Sequence, residues 1–135
     1  MKIKSAEFVI GATGSESFPA DGRPQVVFAG RSNVGKSSLL NALLERKNLV
    51  RVGSRPGKTV EINFFLVNGK FYFVDLPGYG YAKHSLKKRE KLRRMILWYL
   101  SGREPIAAIT VVIDARAGLK PFDRQMLELA REEKK

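Results

Sequence analysis

Gly30-Arg31-Ser32-Asn33-Val34-Gly35-Lys36-Ser37 fills every fixed position of the phosphate-binding pattern G-x-x-x-x-G-K-[ST]. Such a loop needs a strand to deliver it, glycines that let backbone N–H groups close around oxygens, and a helix whose positive N-terminus faces the anion. The flanks supply all three. Gln25-Val26-Val27-Phe28-Ala29 is a short apolar, β-branched and aromatic run that ends on Gly30, as a buried strand would. After Ser37, Leu39, Leu40, Leu43 and Leu44 recur at helical spacing and are expected to form the buried face of a helix.

The 135 residues suffice for one domain with its own core but are few for a complete nucleotide-binding α/β domain. With 25 Lys and Arg against 13 Asp and Glu the net charge is +12, an excess that favours polyanionic partners and that a nucleotide alone does not require. No cysteine is present, which excludes disulfides, thiolate metal sites and a cysteine nucleophile. A single histidine leaves no Ser-His-Asp set to assemble. The first residues lack the apolar run of a signal peptide, and the longest uncharged apolar stretch, 105–113, is too short to span a bilayer. A cytoplasmic protein with no membrane partner is therefore expected.

Around the phosphate loop, residues 1–24 read as an extended arm and a loop rich in Gly, Ser, Pro and Asp. Residues 45–59 are polar and basic with two turn signals, and read as a mobile loop. From Val60 the period changes to two, with Val60, Ile62, Phe64 and Leu66 on one face and Glu61, Asn63, Phe65 and Val67 on the other. Asn68-Gly69 is a strong hairpin signal, so Lys70 to Val74 is the returning strand. Ser85 can cap a long helix reaching Leu100, with Leu92, Ile96 and Tyr99 turned inward and Gly102 and Pro105 stopping it. Ala107 to Ile113 is almost wholly apolar, as a strand covered on both faces should be. Pro121 suits the first turn of a last helix with Phe122, Met126, Leu129 and Ala130 on its apolar face.

Loops at the carboxyl ends of such strands are where open α/β sheets bind ligands. In the first, the Lys36 ammonium can reach β- and γ-phosphates, the Ser37 hydroxyl can ligate Mg²⁺, and Ser38 can serve the α-phosphate. Asp75 begins a D-x-x-G: its carboxylate can hold a water on Mg²⁺, and the Gly78 N–H can approach a γ-phosphate because no side chain blocks it. Loss of that phosphate then removes a backbone contact and can release the loop. Thr59 can give its hydroxyl to Mg²⁺ and its N–H to the γ-phosphate, or can simply open a strand.

Gly30 to Leu39, Arg55-Pro56-Gly57-Lys58-Thr59, Asp75-Leu76-Pro77-Gly78-Tyr79-Gly80-Tyr81-Ala82 and Asp114 to Lys120 together resemble the EngB/YihA-type GTP-binding proteins. The resemblance runs through essentially the whole chain. It implies an α/β P-loop NTPase fold, a Ras-like GTPase core with a mixed, mostly parallel sheet, occupying 25–135 and C-terminally incomplete. It assigns phosphates to Gly30, Arg31, Ser32, Asn33, Val34, Gly35, Lys36, Ser37 and Ser38, the first switch to Gly57, Lys58, Thr59, Val60 and Glu61, and the second to Asp75, Leu76, Pro77 and Gly78. Mg²⁺ would sit on Ser37 and Thr59, with Asp75 acting through water, and transition-state contacts would come from Lys36, Thr59 and Gly78. It further implies GTP and GDP as ligands, a role in large ribosomal subunit assembly, and an association with septation and cell division. The N/T-K-x-D loop by which such proteins read guanine has no counterpart here. Ras-like hydrolases place a water-orienting Gln after D-x-x-G, whereas Tyr79 stands at that position, so slow intrinsic turnover is expected. Asn33 matches an asparagine that helps bind K⁺ in potassium-activated relatives; as a residue it is equally a loop position tolerant of unusual dihedrals.

Lys83, Lys87, Lys88, Arg89, Lys91, Arg93 and Arg94 crowd the start of the long helix, where Glu90 is the only acidic residue between Ala82 and Leu100. Pairing cannot account for the run. Contact with ribosomal RNA or a ribosomal subunit precursor is the expectation; Tyr79, Tyr81 and Trp98 could stack bases, with Trp98 expected rather in the core. The competing reading is a nucleotide-independent RNA-binding module. The apolar strand 107–113, lacking a successor, would expose an edge through which the chain self-associates.

Overall fold

The computed structural model describes residues 2–32, 34–51, 60–80 and 84–133. In chain order its elements are β1 (Ala6–Ala12), a 3-10 turn (Ser15–Ser17), β2 (Gln25–Gly30), α1 (Lys36–Leu43), β3 (Ile62–Val67), β4 (Phe71–Asp75), α2 (Leu86–Ser101), β5 (Ile106–Val112) and α3 (Pro121–Glu132). The strands form one sheet in the order β1-β3-β4-β2-β5. β2 pairs parallel with β4 and β5, while β3 is antiparallel to β4 and to β1, so all strands but β3 run the same way.

The β3–β4 hairpin turns at Asn68 and Gly69, both at positive φ (54° and 64°), and Lys70 N–H closes it on the Val67 carbonyl at 2.9 Å. The two-residue alternation of β3 separates two cores. Ile62 and Phe64 join Leu92, Ile96, Tyr99, Phe122 and Met126 beneath α2 and α3. Phe65 and Val67 join Leu40 and Leu44 beneath α1. Ser85 caps α2 by accepting from Lys88 N–H at 3.1 Å, and Pro121 opens α3.

Four expectations need correction. Residues 1–24 are more than an arm and loop: β1 extends the sheet, Ala12 is buried, and Phe18 packs on Phe64 and Tyr99 at 5.6 and 5.5 Å. Of the four leucines only Leu40 on α1 and Leu44 just past its end are buried, whereas Leu39 and Leu43 are 36% and 44% exposed. The short helix meets the sheet along a single i, i+4 stripe, and these two residues stand about 100° off it. β5 is not covered on both faces, only Ile106 being buried, because it lies at the edge of the sheet. Trp98 is 48% exposed and leans on Phe18 at 5.7 Å rather than entering the core.

The first part of the loop after α1 is held rather than free. Asn41 Nδ2 donates to the Val50 carbonyl at 2.7 Å, and Asn41 Oδ1 accepts from Val50 N–H at 2.8 Å. Val50 is itself buried against the α1 core. Residues 52–59 lie outside the described residues.

Asn41→Ala removes both bonds and leaves a backbone pair half buried, so it should lower unfolding free energy by about 1–3 kcal/mol in denaturant titration. Among the described residues β5 has β2 on one side and no strand on the other. The 135-residue chain should therefore self-associate in sedimentation velocity, and a monodisperse monomer would refute the exposed-edge reading.

A candidate phosphate-binding site

Strand register brings the chemistry to one end of the sheet. Phe28 of β2 lies opposite Asp75 of β4, Gly30 opposite Val112 of β5, and Asn63 near the start of β3 opposite Asp75. The loops after β2 and β4, and the segment entering β3, therefore emerge together. Gly35, at φ 93°, turns the chain into α1 in a conformation side-chain-bearing residues seldom adopt. The first intrahelical bond runs from Leu39 N–H to the Gly35 carbonyl at 3.0 Å. The N–H groups of Lys36, Ser37 and Ser38 precede it, which is the donor cluster a phosphate uses at a helix start.

The two motif loops touch directly. Ser32 N–H donates to the Tyr79 carbonyl at 2.7 Å and Tyr79 N–H donates to the Gly30 carbonyl at 3.3 Å. Gly78 presses on the phosphate loop so closely that a Cβ there would lie 3.2 Å from Ser32 Cα and Oγ. Arg31 lays its guanidinium against Gly80. The Lys36 ammonium, in a residue 9% exposed, pairs with the Asp75 carboxylate. Burial pushes the Asp75 carboxyl above its ordinary range, and the Lys36 charge pulls it back. Ser37 Oγ donates to the Arg51 carbonyl at 3.4 Å, beside a cavity of about 430 Å³ lined by Ser37, Ser38, Asn41, Asn48, Val50 and Arg51.

The remaining expected residues divide. Val34 is half-buried beside Gly30. Val60 packs on the larger core, and Glu61 sets its carboxylate over Gly11. Leu76 is fully buried, so only its backbone can serve a ligand, and its N–H is already given to the Phe28 carbonyl at 3.0 Å. Pro77 is half-buried. Asn33, Gly57, Lys58, Thr59 and Lys83 lie outside the described residues. The donor chemistry that remains, a hydroxyl on Ser37 and a carboxylate on Asp75, fits Mg²⁺, a hard cation that takes few protein oxygens and keeps waters and phosphates for the rest.

On α2 the expected basic residues are not equivalent. Lys87, Lys91 and Arg94 are exposed at i, i+4 and i+7, opposite the buried Leu92 and Ile96, and the half-exposed Trp98 continues the same stripe. Lys88 and Arg89 are half-buried. Arg93 lies 5.1 Å over the Phe122 ring and 3.9 Å from Glu90.

One participant escaped the sequence reading. The buried Tyr79 hydroxyl donates to Asp123, a carboxylate 1% exposed near the start of α3, which also accepts from Lys120 N–H at 2.9 Å. Burial and the nearby carboxylate push the Tyr79 phenol far above its ordinary value. The spacing of Lys120 and Asp123 signals a helix start, but nothing local announces a partner 44 residues away.

A family model described as 50S ribosome-binding GTPase matches residues 25–135. A "Probable GTP-binding protein EngB" of Pelotomaculum thermopropionicum is 53% identical over 128 residues, covering 95% of this chain and 65% of that protein. One from Bacillus subtilis is 47% identical, covering 95% and 66%. A crystal structure of a probable GTP-binding protein engB superimposes with a TM-score of 0.65 at 30% identity, over 80% of this chain and 64% of that one. The chain thus spans about two thirds of the length of these relatives. A phosphate loop and a D-x-x-G loop hydrogen-bonded to one another, on a sheet this similar to a solved relative, lead to one conclusion: the chain belongs to the 50S ribosome-binding GTPase family, among its EngB-type members.

Proposed function

We propose that this chain is the phosphate-sensing part of a Mg²⁺-dependent GTP switch that hydrolyses GTP slowly and acts on ribosomal RNA during large-subunit assembly, with normal cell division depending on that step. The observation that carries the reading is the direct pairing of the phosphate loop with the D-x-x-G loop through Ser32, Gly30 and Tyr79. A γ-phosphate bound at the first loop is then within the influence of the second. The N–H groups at the start of α1 bind phosphate oxygens, and Lys36 exchanges its partner Asp75 for phosphate. Ser37 and Thr59 would hold Mg²⁺, which when bound neutralises charge on the phosphates. Gly78 offers its N–H to the terminal phosphate. Tyr79 turns its hydroxyl to Asp123, so it orients no water, which supports slow turnover.

Binding to RNA is supported by the Lys87, Lys91, Arg94 and Trp98 stripe, which sets an aromatic face at the end of a line of cations. The same stripe supports the second reading, an RNA-binding module that works without nucleotide.

A fluorescent GDP analogue titrated in Mg²⁺ should be displaced by GTP and not by ATP, and Lys36→Ala should weaken binding about 10- to 100-fold. Absence of binding to the unsubstituted chain would move the nucleotide-independent reading ahead. Trp98 is the sole tryptophan, so its fluorescence should be quenched directly by single-stranded RNA. Charge reversal of Lys87, Lys91 and Arg94 should flatten the salt dependence of RNA affinity by about one unit of slope for each phosphate no longer neutralised. An unchanged slope would remove RNA from this face.

A further inference from the structure

We propose that Asp123 is a positioning residue for the second switch loop, and that its bond to Tyr79 sets how strongly the site prefers a nucleoside triphosphate over a diphosphate. The proposal rests on the nucleotide-binding reading above. Asp123 lies on α3, outside every phosphate-binding motif of the chain, and its burial is unusual for a carboxylate. Both of its oxygens are used: Oδ2 takes the Lys120 N–H that begins α3, and Oδ1 takes the Tyr79 hydroxyl. The first bond fixes the carboxylate to the helix, and the second fixes the loop to the carboxylate.

Tyr79 is held on its other sides as well. Its ring meets Phe122 edge-on at 4.9 Å, and its backbone brackets the phosphate loop through Gly30 and Ser32. Gly78, the residue proposed to give its N–H to a terminal phosphate, is the immediate neighbour of this clamp and sits against Ser32. A hydrogen bond to a buried carboxylate is among the stronger kinds and is directional. Breaking it frees the loop to shift while leaving the phosphate loop itself intact. The diphosphate interactions, made by 30–38, are then preserved, and the one unique to the triphosphate disappears. Asp123 is thus set to act through Tyr79 on ligand discrimination rather than on binding as such.

The test compares a fluorescent GDP analogue with the non-hydrolysable triphosphate GppNHp, in Mg²⁺, on the unsubstituted chain, Tyr79→Phe, Asp123→Asn and the double variant. Tyr79→Phe keeps the ring against Phe122 and removes only the hydroxyl. Both single variants should hold GDP within about twofold while weakening GppNHp about 5- to 10-fold, the lower range of coupling between sites. The double variant should be no worse than either single one, since both break the same bond. Equal weakening of the two nucleotides, no change in either, or additive losses would overturn the proposal while leaving the nucleotide reading in place. Failure of the unsubstituted chain to bind either nucleotide would overturn both.

Discussion

The buried ion pair of Lys36 and Asp75 is the interaction on which the site depends. Residues 39 positions apart, one opening α1 and the other ending β4, place opposite charges where each is about nine-tenths buried. Neither charge would be tolerated there alone, because desolvation of an unpaired ion costs several kcal/mol, on the order of a large part of a domain's stability. The pair therefore holds two loops to a common point. In the proposed reading a bound phosphate competes for Lys36, which links ligand binding to the Asp75 loop by charge as well as by the backbone bonds of Tyr79.

The slow turnover proposed for this chain rests on the opposite arrangement at Tyr79. In the proposed switch a residue one step beyond Gly78 is placed to face the terminal phosphate. Here its ring is set edge-on against Phe122 and its hydroxyl is buried against Asp123, so it serves as an anchor. The loop gains a fixed seat and gives up a side chain for water. Arg93, lying over the same Phe122 ring, brings the basic helix α2 against that seat.

Most of this was legible in the sequence where the signal is local. The G-x-x-x-x-G-K-S run, the Asn68-Gly69 hairpin, the Ser85 cap and the strict alternation of β3 each carry their own geometry, and the fold follows them. What was not legible depended on distant partners. The run Phe8-Val9-Ile10, inside what reads as an extended arm, carries no sign that β3 accepts it as a neighbour. The four leucines of α1 share a helical pattern, but only the sheet decides that Leu40 and Leu44 are the pair it covers. Trp98 is a core residue by type, yet its place on the exposed stripe follows from helical phase relative to Leu92 and Ile96. Asp123 had no local signature for its role, since its partner is fixed by tertiary packing.

The two border strands of the described sheet share one irregularity. In β1 the register slips between Phe8, opposite Phe65, and Ile10, opposite Phe64, so Val9 is an extra residue that kinks and twists that border. β5 carries one as well: Gln25 pairs with Ile106 and Val26 with Ala108, so Ala107 is the extra residue there, and 108–112 then pair without interruption. A bulge bends its strand and raises the local twist, so each border is blunted at that point as a template for a further strand. In β5 that point lies at the first residues of the strand, which leaves the stretch 108–112 as the flatter part of that border among the described residues.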